Sequence, residues 1–173
     1  MIQIQQTDNQ PKIVGLGAEP IINFPEGIPA FEEAHNFMLV TNSEIDPFLL
    51  LLSLDIEDFG FFCIDPFLLM PDYHFVIPSP DQKRLQLENA HEALILSFVT
   101  RAAKPEDFTA NLLAPIVINI RTRLAKQIIL DGYPVRFRIW EAVERLSEQS
   151  EQGSSPTPSE TEVNTPGEGG ASC

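Results

Sequence analysis

Fifteen prolines in 173 residues set the first constraint on this chain. Pro25, Pro29, Pro47, Pro66, Pro71, Pro78, Pro80, Pro105 and Pro115 cut most of it into short lengths. Proline lacks the amide hydrogen and clashes with the preceding helical turn, so long helices are excluded there, whereas turns and strand starts tolerate it. Short apolar runs rich in Val, Ile and Phe lie between the prolines, at 36–41, 48–54, 60–64, 74–77, 93–100, 115–120 and 126–130. Runs of that kind, bounded by Pro, Asp, Asn or Gly and spaced roughly ten to fifteen residues apart, predict antiparallel strands in a sandwich or barrel. Two segments predict short helices: 81–88, capped by Ser79 or Asp81, and 139–148, where Ile139, Trp140, Val143 and Leu146 share one face.

The expected architecture is a mostly β, single-domain, antiparallel β-barrel-like fold over residues 1–146. It is followed by a disordered, acidic, Ser/Pro/Gly-rich tail over 147–173. From Ser147 onward there is one Val and no Leu, Ile or aromatic residue, too little apolar surface to offset the entropy of ordering. A body of about 145 residues buries roughly two thirds of its unfolded surface, enough for a core without staples. Cys63 sits in an apolar strand pattern and reads as a small buried hydrophobe, while Cys173 is the last residue. No bridge between them is expected, which suits a reducing compartment. The N-terminus is polar and has no signal-peptide pattern. Apolar stretches such as 47–52 are far too short to span a bilayer, so a cytoplasmic protein without membrane attachment is expected.

Charge is unevenly distributed. The net charge is −14, and residues 1–73 hold twelve Asp and Glu against a single base, Lys12. Such a surface repels phosphates, which argues against direct nucleic-acid binding, and would draw in a basic protein. Keeping the chain soluble is the blander use of the same charge.

Catalytic patterns are missing from the sequence: no Gly-rich phosphate loop, no Cys pair at zinc spacing, no His-Glu-x-x-His and no Gly-x-Ser-x-Gly. No cofactor is implied, and the chain is not expected to be an enzyme. Asp65, Asp72 and His74 are the best candidates for a metal site, the last two sharing a face if 72–74 is a strand. Aspartates beside prolines more commonly accept turn hydrogen bonds. Glu32-Glu33 and Glu57-Asp58 read as solvated loops rather than acid/base pairs.

Three motifs carry a resemblance. Phe24-Pro-Glu-Gly-Ile-Pro-Ala-Phe31, Phe62-Cys-Ile-Asp-Pro-Phe-Leu-Leu-Met-Pro-Asp-Tyr73 and Thr109-Ala-Asn-Leu-Leu-Ala-Pro-Ile-Val-Ile-Asn119, followed by Ala125-Lys-Gln-Ile-Ile-Leu130, occur in that order. Together they resemble the flagellar assembly factor FliW family across residues 24 to about 138. Ala30 and Ala125 stand where that family usually has Gly, and Tyr133-Pro-Val-Arg136 departs from its usual C-terminal pattern. The resemblance implies a non-enzymatic binding protein. It would antagonise the translational regulator CsrA allosterically, relieving repression of flagellin mRNA, and would also bind flagellin in a partner-switching feedback. Phe67, Leu69 and Tyr73, beside Asp65 and Asp72, could supply an apolar anchor with an acidic rim, although core packing explains the same aromatics. Asn111 and Asn119 read as turn residues. Two other readings stay open: a β-barrel holding a small ligand or a metal, with hydrolysis as one use of such a site, and a structural part of the flagellar apparatus.

Overall fold

The computed structural model describes residues 1–6, 16 and 20–152. Asp8, Lys12, Glu19 and the tail from 153 to Cys173 lie outside the described residues.

In chain order the elements are β1 (Ile2–Ile4), β2 (Ile21–Asn23), β3 (Asn36–Thr41), β4 (Leu49–Ser53), β5 (Gly60–Ile64), α1 (Pro66–Leu69), β6 (Phe75–Ile77), α2 (Ser79–Leu85), β7 (Ala93–Thr100), β8 (Thr109–Ala110), β9 (Ile116–Asn119), β10 (Ala125–Gln127), β11 (Phe137–Arg138) and α3 (Ile139–Gln152). One sheet runs β10-β9-β7-β5-β4-β3-β2, with β8 and β11 added beside the far end of β7. β1 and β6 form a separate ribbon. Every ladder is antiparallel. The two ends of the long sheet come together at one parallel bridge, Asn23 to Leu124, where the Asn23 amide donates to the Arg123 carbonyl at 2.9 Å. The sheet therefore curls like a barrel without a closing ladder.

β7 explains the layout. Ala93 and Ile95 point into one core and Leu94 and Leu96 into another. β9 repeats the alternation, with Val117 on the first side and Ile116 and Ile118 on the second. Both faces are buried along β9 and most of β7, so the sequence there is mainly apolar instead of alternating, with Ser97 and Asn119 as its buried polar members. Each fully buried Val, Leu or Ile in these strands contributes on the order of 1.5–3 kcal/mol. The first core is completed by α1, α3 and the β1–β6 ribbon, the second by the 24–34 loop with β2, β3 and β4.

The mostly β, antiparallel architecture is as expected, and Cys63 is fully buried. Local details differ from the expectations. The apolar run after Asp65, to which no element was assigned, is a helical turn, α1. Asp65 Oδ1 accepts the Phe67 amide at 2.8 Å and Pro66 occupies the first turn, so Asp-Pro acts here as cap and helix start. α2 begins after Pro78 and has no side-chain cap from Ser79 or Asp81. α3 extends to Gln152, so residues 149–152, expected in the tail alone, have helical backbone. Glu and Gln propagate a helix well, and the next residue is Gly153. β1, β2, β8 and β11 are two or three residues long, too short to leave a periodic signal.

Candidate functional site

Tyr73 is fully buried and donates its phenolic hydrogen to the Leu112 carbonyl at 2.7 Å. Its ring packs against Phe67, Phe75 and Tyr133, with centroids 5.8, 5.7 and 4.6 Å away. Burial, with Tyr133 beside it, pushes the Tyr73 hydroxyl well above the usual tyrosine range. Phe67 and Leu69 are buried in the same cluster. The apolar anchor expected of Phe67, Leu69 and Tyr73 thus faces the first core in this structure. Asp65 is half-buried and caps α1, and Asp72 is exposed. Leu68, Pro71 and Asp72 are the exposed residues of this motif, and Phe62 at its start is half-buried.

The other two motifs are equally tied into the fold. Phe24 is buried edge-on to Phe37 at 5.3 Å. Gly27 has φ +69°, and a Cβ there would lie 2.6 Å from the Glu32 backbone, so the turn needs glycine. Asn111 Oδ1 accepts the Ala114 amide at 3.0 Å, a turn role as expected. Asn119 is fully buried. Its Nδ2 donates to the Leu85 and Gln86 carbonyls at 2.9 Å each, and its Oδ1 accepts the Arg121 and Thr122 amides at 2.9 and 3.3 Å. One side chain thereby closes the 119–124 turn and caps the end of α2. Glu26, Arg84, Asp81 and Lys126 form a closed ring of ion pairs, with contacts of 3.0, 3.4, 3.0 and 2.8 Å, joining the first motif to α2 and β10. Burial opposes the Lys126 charge, but Glu26 and Asp81 outweigh it and hold the ammonium above the ordinary lysine range.

Asp65, Asp72 and His74 do not assemble a metal site, and the described residues contain no group of three His, Cys, Asp or Glu placed to hold one. His74 Nδ1 lies 2.6 Å from the Asp72 carbonyl, within the turn that precedes β6. Glu32, Glu33, Glu57 and Asp58 are all exposed.

Two surface features remain. The first is an acidic rim. The 24–35 and 54–59 loops meet at one end of β3 and β4, where Phe31 and Phe59 lie 4.6 Å apart between ring centroids. Glu32, Glu33, Asp55, Glu57 and Asp58 stand there, and residues 20–73 contain no Lys or Arg. Asp55 joins the loops. It accepts the His35 and Asn36 amides at 2.7 Å each, and these bonds, Asn36 first, hold its carboxyl below the usual range. The second feature is a groove of about 530 Å³ bordered by Leu50, Leu52, Phe62, Val99, Asp58 and Arg101. The chain announces it only through Leu49-Leu50-Leu51-Leu52, where no polar residue marks the outward positions.

A family model, described as FliW protein, matches residues 7–139. The chain belongs to the FliW family. Similar proteins named flagellar assembly factor FliW include one from Caldanaerobacter subterraneus, 43% identical over 69% of this chain and 81% of that protein. Another, from Carboxydothermus hydrogenoformans, is 34% identical over 77% of this chain and 86% of its own length. A crystal structure of the flagellar assembly factor FliW is 36% identical to this chain and superposes with a TM-score of 0.65, covering 69% of this chain and 84% of that one. The FliW motifs read in the sequence are mainly the joints of the fold: Tyr73 of the second bonds to Leu112 of the third, and Glu26 of the first is held by Lys126. No described helix is long and apolar enough to cross a membrane.

Proposed function

We propose that this chain is a cytoplasmic flagellar assembly factor that works by binding two proteins in alternation. One is the basic, RNA-binding translational regulator CsrA, which it would keep from silencing flagellin mRNA. The other is flagellin, whose accumulation would displace CsrA and stop further synthesis. No catalytic step is involved. The observation that carries this reading is the joining of FliW-family membership to an exposed anionic rim, in a stretch with ten carboxylates and no cation between residues 20 and 73. A repressor that grips RNA carries a cationic face, and opposite potentials speed encounter and set orientation.

Titration calorimetry of the purified chain against CsrA and against flagellin tests the proposal. The expected result is saturable binding to both, with CsrA affinity falling as salt rises and CsrA released from a flagellin leader RNA. No heat with either protein at low salt would reject it.

A further inference from the structure

The outward face of the long sheet is only half covered. Where β5, β7 and β9 present Ile64, Ile95 and Val117, side chains of α1, α3 and β1 complete a core. Beside it, Val40, Leu50, Phe62 and Val99 sit in one cross-strand row on β3, β4, β5 and β7, each only half-buried. Val99 also packs against the covered core, so the apolar layer continues from one half to the other. In the next row Gly60, opposite Leu52, presents no side chain and leaves the groove its hollow. Arg101 stacks on Phe62, its guanidinium carbon 4.7 Å from the ring centroid. Among the described residues neither Arg101 nor Asp58 makes an ion pair.

We infer that this groove docks one amphipathic α-helix of a partner protein. Its apolar stripe lies on Leu50, Leu52, Phe62 and Val99, an acidic side chain meets Arg101, and a basic one meets Asp58. Layer continuity supports a helix, because helices already cover the adjoining half of the same face and a sheet face is buried by a packed layer. Width agrees: three strands span about 10 Å between outer axes, close to the ~10–12 Å of a helix with its side chains. Charge selects the occupant. The two unpaired groups of opposite sign fit a segment with mixed charge flanking an apolar stripe. A second copy of this chain would bring another −14 with it, and nucleic acid is repelled for the same reason. The inference rests on the proposed function, and it takes flagellin as the partner whose helix docks here.

The test titrates wild-type chain, Leu50→Asp, Arg101→Glu and Asp58→Lys with purified flagellin and with CsrA, after thermal melts have verified folding. The expected result is flagellin binding weakened about tenfold or more by Leu50→Asp and several-fold by each charge reversal, since a central apolar contact outweighs its rim. CsrA affinity should stay within about threefold for Leu50→Asp and Arg101→Glu. Asp58 and Arg101 are exposed, so the reversals fold even if Leu50→Asp does not. Unchanged flagellin affinity in both reversals and in any folded Leu50→Asp overturns the groove assignment. Loss of CsrA binding in place of flagellin binding overturns it too. Wild-type chain that ignores flagellin instead removes the parent reading, and this one with it.

Discussion

The hydroxyl of Tyr73 and the carbonyl of Leu112 are bonded at 2.7 Å across 39 residues of sequence, inside the first core. Tyr73→Phe keeps the packing but leaves that carbonyl buried without its partner, which costs about 1–2 kcal/mol. Tyr73→Ala adds a cavity and should cost about 3–5 kcal/mol. Urea unfolding midpoints at constant slope would measure both. Equal stability of Tyr73→Phe and the wild type would show that the bond contributes nothing.

Two neighbouring positions of the first motif should respond oppositely to changes in their β-carbon. Ala30 has φ +72°, a region that penalises an L side chain, and its methyl group is exposed. Ala30→Gly should stabilise by up to about 1 kcal/mol, the relief of strain exceeding the added chain entropy. Gly27→Ala should destabilise by about 2 kcal/mol or more, because the new carbon meets backbone at 2.6 Å. Melting temperatures of the two variants moving in the same direction would contradict this.

Acid and alkaline limits should trace to different residues. Asp55 and Glu92 are held below the ordinary carboxylate range, chiefly by the Asn36 amide and the Glu88 amide respectively. Their stabilisation is present above the unfolded values near 4 and is lost as pH falls through the lower native ones. Asp55→Asn should therefore flatten the acid limb of a melting-temperature profile. Tyr73 and Cys63 are raised by burial. The unfolded chain ionises first, so stability drops as pH climbs past about 8.5 for the thiol and about 10 for the phenol. Tyr73→Phe should remove the drop above the latter value.

The ring of Glu26, Arg84, Asp81 and Lys126 should be a modest, salt-sensitive clasp. Its side chains are partly exposed, from 15% for Asp81 to 57% for Arg84, so solvent screens them. A double-mutant cycle of Glu26→Gln with Lys126→Met should give a coupling of about 0.5–1 kcal/mol, shrinking in molar salt. Persistence of the full coupling in high salt would argue against a Coulombic origin.

For the acidic rim, Glu33→Lys with Glu57→Lys should slow CsrA association several-fold at low salt while the dissociation rate changes little. Stopped-flow traces with an unchanged association rate would clear the rim of that role. Asp65→Lys is a poorer probe, because it also deletes the cap of α1, worth about 1 kcal/mol.

Continuous apolar runs are the easiest part to read from sequence: β5 and β7 begin and end where their runs do. Short pieces were hidden. A strand of two or three residues such as β8 has no period of its own and exists because β7 and β11 pair with it. The Pro66–Leu69 turn has the apolar composition of a strand, and only the Asp-Pro cap distinguishes it. The partner surface was least legible. Large side chains in the motifs suggested an anchor, but Phe67 and Tyr73 serve the core, whereas the half-bare row at Leu50 and Phe62 reads as ordinary strand until its neighbours are known.

Cys63 has no solvent exposure, and burial raises its thiol far above the range in which thiolate forms. Alkylating dyes attack thiolates that they can reach, so a native molecule should stay dark while an opened one is tagged. With Cys173 replaced by Ser, the tagging rate of the purified chain becomes a gauge of how often the sheet comes apart.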